Sequence, residues 1–375
     1  MKKNRVFIIS LMIGLSLSGC MKTGGSGNGD ESVMDNSSRI TLVKSPVSEG
    51  TAPDTNDENT PDVEIVKVLD SKTVSAPALE SFSDHHSRIA TYSDQIFYIK
   101  DDGQIGAYRE EDANVFPEME HPAVDIEACL EDFYITDVEG HVHIYHYTPG
   151  ANAREMTVTD LQKKKDSAVS FGVEAIYQMQ EALLGLSNVS DVSVMRYHPS
   201  CAFALVDSEK GKDVICFCGE NRYNAEIDPS HGSVIGISDG LILYSDGTVD
   251  YPWDLQPEVS SETYDYSDWT NVIGIYEGGY MAVREDGSVL VRDHSYATAR
   301  KWTDVEFITS SGPSPVQKWA AFGLTKDGKV LSKLVGYYHS EIPDHIDKEI
   351  VEMKLCGDNL IFLDKNDDLT VFVLE

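Results

Sequence analysis

Met281-Ala282-Val283-Arg284-Glu285-Asp286-Gly287-Ser288-Val289 reads as two β-rich runs joined by an Asp-Gly turn. Gly accepts the positive φ of a tight hairpin turn and Asp tolerates it, so the stretch predicts a β-hairpin. The same pattern returns at 96–105, 133–142, 241–249 and 322–330, with looser copies around 204–215 and 362–371. Five turn glycines, Gly103, Gly140, Gly247, Gly287 and Gly328, mark its register; the last three are 40 and 41 residues apart. A period of this length is the mark of a radial or stacked repeat.

The incoming strands are continuous runs of Ile, Phe, Tyr, Leu and Val, as expected when both faces are covered. A further short apolar segment precedes several hairpins, for example Val234-Ile235-Gly236-Ile237 and Val272-Ile273-Gly274-Ile275. Each unit is therefore one sheet of three or four strands, too small to stand alone, and neighbouring sheets must bury each other's faces. Seven hairpins predict seven such units. The long gap 148–191 carries Val173, Ile176, Tyr177 and Leu184 at helical spacing between Gly172 and Gly185. It reads as a helical insertion between blades; the alternative is a degenerate eighth blade. A ring must hide its edges, so Val63-Glu64-Ile65-Val66-Lys67-Val68 is expected to add a strand to the C-terminal unit and close it.

Two spans carry a sharper pattern. Trp269-Thr270-Asn271-Val272 leads into Ala282-Val283-Arg284-Glu285-Asp286-Gly287-Ser288-Val289. Trp302-Thr303-Asp304-Val305 leads into Ala321-Phe322-Gly323-Leu324-Thr325-Lys326-Asp327-Gly328-Lys329-Val330. Trp-x-x-Val followed by Ala-x-x-x-x-Asp-Gly-x-Val resembles the repeat of the regulator-of-chromosome-condensation family, which includes bacterial β-lactamase-inhibitor proteins of the same build. The resemblance implies an all-β, seven-bladed β-propeller used for protein–protein binding. It covers 88–375 in outline and is sharp only in the last half. The Gly-x-Asn-like closing turn common in that family is approached only by Cys218-Gly219-Glu220-Asn221.

The N-terminus reads as a targeting segment. Lys2, Lys3 and Arg5 precede an apolar run, 6–17, too short to span a membrane as a mature helix. Leu17-Ser18-Gly19-Cys20 resembles the lipobox of bacterial lipoproteins, which implies cleavage before Cys20 and a diacylglycerol on its sulfur; the alternative is an ordinary signal peptide with a chance Cys. Two acyl chains anchor durably. Residues 1–19 are thus expected to be a signal peptide. Residues 20–61, rich in Gly, Ser, Thr, Asp, Asn and Pro, are expected to be a lipidated, disordered tether. Residues 62–375 are expected to form the propeller domain. The expected location is the outer face of a bacterial cytoplasmic membrane.

The net charge is −33, and loss of Lys2, Lys3 and Arg5 makes it three units more negative. Nucleic-acid binding requires clustered Lys and Arg, so that partner class is excluded. A membrane contact through the lipid and a protein or cell-wall partner remain.

Catalytic signatures are missing, and no cofactor or metal is expected. His141 and His143 share a strand face without a specified third ligand and read as solvent-facing residues rather than a zinc site. Cys216 and Cys218 likewise share a face; buried thiols are the expectation for Cys129, Cys201, Cys216, Cys218 and Cys356. Asp364-Lys365-Asn366-Asp367-Asp368 matches some calcium-loop spacings, but Leu369 stands where that loop needs Gly, and the segment aligns with the other hairpin turns. Trp269 and Trp302 sit in the repeat register and read as packing residues. Trp253, Trp319, Tyr264, Tyr266, Tyr337 and Tyr338 fall in connecting segments and are the candidate binding surface. The leading expectation is a non-enzymatic, membrane-anchored surface protein. The rival is a carbohydrate-active propeller enzyme, which a polar axial pocket with convergent carboxylates would favour.

Overall fold

Each Asp-Gly hairpin forms where the pattern places it, and each is preceded by the short apolar strand. The computed structural model describes residues 65–68 (as backbone), 87–92, 95–168, 170–195, 198–209, 211–251, 266–276, 281–292, 297–310, 319–336 and 342–374. Among these residues the strands form seven antiparallel sheets.

In chain order the first strand, β1 (Ile65–Val68), is set aside for the last sheet. The first sheet is β2 (Ile89–Tyr92), β3 (Gln95–Ile99) and β4 (Ile105–Ala107). The second is β5 (Ala123–Cys129), β6 (Asp132–Asp137), β7 (Val142–His146) and β8 (Arg154–Glu155). The third is β9 (Val189–Val194), β10 (Cys201–Ser208), β11 (Gly211–Cys218) and β12 (Asn221–Asn224). The fourth is β13 (Val234–Ser238), β14 (Leu241–Tyr244) and β15 (Val249–Asp250). The fifth is β16 (Val272–Tyr276), β17 (Met281–Arg284) and β18 (Val289–Val291). The sixth is β19 (Val305–Ser310), β20 (Trp319–Thr325) and β21 (Val330–Val335). The last is β22 (Ile350–Cys356), β23 (Asn359–Asp364) and β24 (Leu369–Leu374).

The N-terminal β1 pairs antiparallel with β24, Ile65 opposite Leu374 and Val68 opposite Val371. The chain's two ends thus share one sheet, in the closure expected from the sequence.

Packing follows the same cycle. Between the first and second sheets lie Phe97, Phe116, Phe133 and Tyr145, stacked edge to face at 5.1–5.4 Å. Leu205 and Val214 of the third sheet meet Ile237 and Ile242 of the fourth. Leu241 and Leu243 of the fourth meet Trp269, Val272 and Ala282. Met281 and Val283 of the fifth meet Trp302, Val305 and Ile308. Phe322 and Leu324 of the sixth meet Met353 and Phe362. The last sheet presents Ile361, Leu363 and Val371 to Ile89 and Ile96 of the first. This final interface makes the arrangement a closed β-propeller: no sheet retains an uncovered face at the join. Trp269 and Trp302 are buried packing residues, and Gly323 is small because the Trp302 ring lies over it.

The insertion between the second and third sheets is helical: α1 (Val158–Asp166) and α2 (Phe171–Leu184). Thr157 caps α1 through a reciprocal pair with Asp160, and the Ser170 hydroxyl accepts from Val173 N–H to start α2. The buried face of α2 is Ala175, Met179, Gln180 and Leu183, against Tyr134 and β9–β11. The expected face of Val173, Ile176, Tyr177 and Leu184 is only half-buried. Gln180 falls on that same stripe by spacing and is its buried member, donating to Asp132 at 2.6 Å and to the Tyr134 hydroxyl at 2.9 Å.

Cys201 and Cys218 stand opposite each other in β10 and β11 and form a disulfide. Two of the five residues expected as thiols are therefore paired. Among the described residues, Cys216 and Cys356 are free thiols.

Candidate functional site

The innermost strand of each sheet has one edge without a strand partner. On the axis, those edges surround a cavity of about 250 Å3. Its lining comes from Ser87 just ahead of β2, from β5, β9, β13, β16, β19 and β22, and from Asp239 and Leu243 of the β13–β14 hairpin. Side chains on these strands supply what a missing strand would have supplied. Asp125 Oδ1 accepts from Ser87 N–H at 2.9 Å. Glu127 Oε2 accepts from Val194 N–H at 2.7 Å. Ser193 Oγ accepts from Asp239 N–H at 2.7 Å, and Thr309 Oγ1 from Leu355 N–H at 2.8 Å. Glu352 accepts from Arg88 N–H at 2.6 Å and from the Ser87 hydroxyl at 2.9 Å. Every one of these bonds crosses from one sheet to the next. Around the rest of the axis the inner strands are apolar, with Ile237, Ile275 and Ile308 beside Gly236 and Gly274.

This half-polar ring has consistent electrostatics. Burial pushes Asp125 up to about 7, against the pull of the Ser87 N–H and of Lys354. Burial pushes Glu127 up to about 8 despite the Val194 N–H, and nearby Asp125 adds to the rise. Asp191 is raised well above the usual carboxyl range, by burial first and then by Asp125 and Glu127. Glu352 is raised by burial, opposed by Lys354 and the Arg88 N–H. Lys354 is the cation on the lining; its Nζ donates to Ile89 O at 2.6 Å and to the Ser87 hydroxyl at 2.9 Å. One oxygen each of Asp125 and Asp191, Oδ2 in both, is buried without a hydrogen-bond partner.

The residues expected to form the binding surface do not gather at this site. Trp253, Tyr264, Tyr337 and Tyr338, like Cys20, lie outside the described residues. Tyr266 is buried at 7 % exposure, edge-on to Trp269 at 4.8 Å with Arg292 over its ring. It packs the interior, a correction to the expectation of an exposed anchor. Trp319 opens strand β20, half-buried against the core that holds Trp302, rather than lying in a connection. The sequence pattern misplaced both because aromatic packing residues are not confined to the repeat register.

Of the imidazole pair, His141 is exposed, as expected, and His143 is not. His143 is half-buried between Asp137, at 3.0 Å, and Glu155, at 2.8 Å; His141 reaches Asp137 at 3.3 Å. Burial lowers His143, but the bonds to Glu155 and Asp137 outweigh it and the net shift is upward. Among the described residues no set of three or more His, Cys, Asp or Glu is arranged to hold a metal ion.

The axial carboxylates escaped the sequence reading because Asp and Glu are abundant throughout the chain. The available signal was their placement on the short apolar strand ahead of each hairpin: Val124-Asp125-Ile126-Glu127 and Val351-Glu352-Met353-Lys354.

The class these features define is a β-propeller with an acidic, internally hydrogen-bonded axis. No known protein family matches the sequence, and no curated protein does. The resemblance to chromosome-condensation repeats therefore has no family match behind it. Solved structures similar to the chain include one from BBS1N in complex with ARL6DN, at 10 % identity and a TM-score of 0.44, covering 84 % of this chain and 98 % of that one. A chain of a mitotic checkpoint complex is 11 % identical with a TM-score of 0.45, covering 87 % of this chain and 100 % of that one. The Cps50 (Swd1) β-propeller domain of Myceliophteria thermophila is 9 % identical with a TM-score of 0.32, covering 76 % and 83 %. What makes this chain a propeller is its own sheet order and the closed cycle of packed interfaces. No helix of the described residues is long and apolar enough to cross a membrane.

Proposed function

We propose that the protein is a non-enzymatic surface lipoprotein, anchored through Cys20 to the outer face of a bacterial cytoplasmic membrane. Its propeller presents rim loops to a protein or cell-wall partner. One observation carries the reading: the axial carboxylates Asp125, Glu127 and Glu352 are held by backbone N–H groups across sheet boundaries. Groups fixed in this way stabilise the ring and are poorly placed to exchange protons with a substrate. A propeller whose axis serves the scaffold leaves the rims for contact.

A carbohydrate-active enzyme is the second reading. Its support is the convergence of carboxyl groups, with Asp125 at about 7 and Glu127 at about 8, on one cavity. A carboxyl that stays protonated near neutrality is suited to general-acid work.

Crosslinking on intact cells separates the two. The binding reading expects a discrete partner that is captured by the wild type and diminished by Trp253→Ala with Tyr337→Ala. It also expects Cys20→Ala to leave the membrane fraction. Envelope polysaccharide cleavage by the purified domain, abolished in Glu127→Gln, would establish the enzyme instead.

A further inference from the structure

His143, on β7, has a carboxylate at each ring nitrogen. Nε2 lies 3.0 Å from Asp137 Oδ2, at the end of β6, and Nδ1 lies 2.8 Å from Glu155 Oε1, on β8. A neutral imidazole offers one N–H and one lone pair, an imidazolium two N–H groups, and an ionised carboxylate only accepts. Both contacts are attractive at once only if the ring is the cation.

The two carboxylates are unequal. Asp137 has 0 % side-chain exposure. Its Oδ1 accepts from the N–H groups of Glu139 and His141, both at 2.9 Å, and its Oδ2 faces the rings of His143 and, at 3.3 Å, His141. Glu155 is 50 % exposed, so water can replace the imidazole there. Removing a donor from a buried acceptor costs more than releasing a hydrated one. The proton that leaves His143 is therefore the one on Nδ1, and a lone pair then faces Glu155. β8 is two exposed residues long and pairs with β7 through Tyr145–Glu155 and His146–Arg154. Ala153 and Met156 on either side are buried, and Met156 N–H donates to Ile144 O at 2.7 Å, which confines any release to the strand itself.

We propose that His143 is a pH-operated latch: as an imidazolium it fastens Glu155 and β8 to the second sheet, and on losing its Nδ1 proton it frees them while staying bonded to Asp137. The other titratable groups around the ring are Tyr145, His141 and, beyond it, His121. Burial and then Glu155 push the Tyr145 hydroxyl up to about 12, so it stays neutral. The His141 ring approaches that of His121 at 6.3 Å, and His121 in turn lies 3.3 Å from Glu139. Burial lowers His143, but Glu155 and Asp137 outweigh it and hold it above 6.5. The latch is closed below that raised value and opens as pH rises through it.

Selective 15N labelling of histidine in the complete chain reads the ring directly, with His143 assigned by its loss in His143→Gln. His143 should be doubly protonated at about pH 6 and carry its remaining proton on Nε2 at about pH 9, and Glu155→Gln should lower its titration point. Hydrogen exchange reads the strand. Between those two pH values, protection of the 154–156 amides, corrected for intrinsic exchange, should fall by roughly tenfold more than that of β14, which reports any global loss of stability. In Glu155→Gln, a change at a half-exposed position, that excess should vanish. A ring already neutral at the lower pH, a remaining proton on Nδ1, no excess loss at 154–156, or an equal excess in Glu155→Gln would each overturn the proposal.

Discussion

Asp367 Oδ1 lies 2.6 Å from the Arg88 guanidinium, and Asp367 Oδ2 accepts from Asp101 N–H at 2.6 Å. This contact joins the last sheet to the first, across the boundary where the ring closes. Asp367 occupies the turn position that Gly103, Gly140, Gly247, Gly287 and Gly328 hold elsewhere, and it adopts φ +62° there. A side chain in a left-handed conformation is unfavourable, and here it gives the closing turn a carboxylate that reaches the neighbouring sheet. Both partners are buried, at 9 % and 7 % side-chain exposure. Removing one member of such a pair leaves an uncompensated charge, so Asp367→Ala should cost about 3–5 kcal/mol in urea unfolding. Asp367→Gly loses the same bonds but relaxes the turn, and should cost about 1 kcal/mol less. Equal losses would show that the turn conformation carries no strain.

Closure also rests on β1, which supplies the outer strand of the last sheet. Deleting 63–69 exposes the β24 edge and removes a strand's worth of ladder bonds. The melting temperature should fall sharply, and an unchanged melting curve would mean that the ring does not depend on β1.

The turn glycines serve the boundary between sheets as well as their own hairpins. A Cβ on Gly287 would stand 2.6 Å from Asp304 Cα, and one on Gly247 would stand 2.7 Å from Asn271 Cα, both backbone of the next unit. Gly287 O accepts from Val305 N–H at 3.0 Å, so the turn is hydrogen-bonded to that unit too. Gly287→Ala should therefore destabilise by about 2–4 kcal/mol. Gly150→Ala, at φ +83° but with open space around it, should cost only about 1 kcal/mol. Similar values for the two would assign the whole requirement to φ.

Axial acidity predicts the direction of pH dependence. Asp125 rises from 3.8 to about 7 and Glu127 from 4.5 to about 8 on folding. Between about pH 4 and pH 8 the folded state holds protons that the unfolded chain has released, so stability falls as pH rises through that window. His143, raised above 6.5, acts with the same sign, its contribution being lost as pH rises through the folded value. Asp137, lowered below 3.8 by hydrogen bonds that overcome its burial, acts only at more acidic pH. Tm should be several degrees higher at pH 5 than at pH 8, by thermal unfolding at constant ionic strength, and Glu127→Gln should shrink the difference. A Tm that climbs from pH 5 to pH 8 would contradict the axial assignment.

The repeat was legible because hairpin turns are local: Asp-Gly between β-rich runs specifies a turn from four adjacent residues. The helical insertion was legible for the same reason, through spacing within one segment. The burial of Gln180 on α2 was not, since a polar side chain turns inward there to meet Asp132 and Tyr134 of the second sheet. Tyr266 was misjudged as exposed for a like reason, its burial being set by Trp269 and Arg292. The Cys201–Cys218 disulfide needed the register of β10 on β11, which no spacing rule supplies.

From the sequence alone come the hairpins, their number, the order of strands within each unit and the strand expected to close the ring, all of them consequences of backbone conformation and short-range patterning. Tertiary structure decided which of the many Asp and Glu residues matter. Asp125, Glu127, Asp191 and Glu352 converge only because separate inner strands, far apart in the chain, bring their unpaired edges to one axis. A carboxyl's solvation and pKa are set by what surrounds it in space, and that is fixed only when the ring is complete.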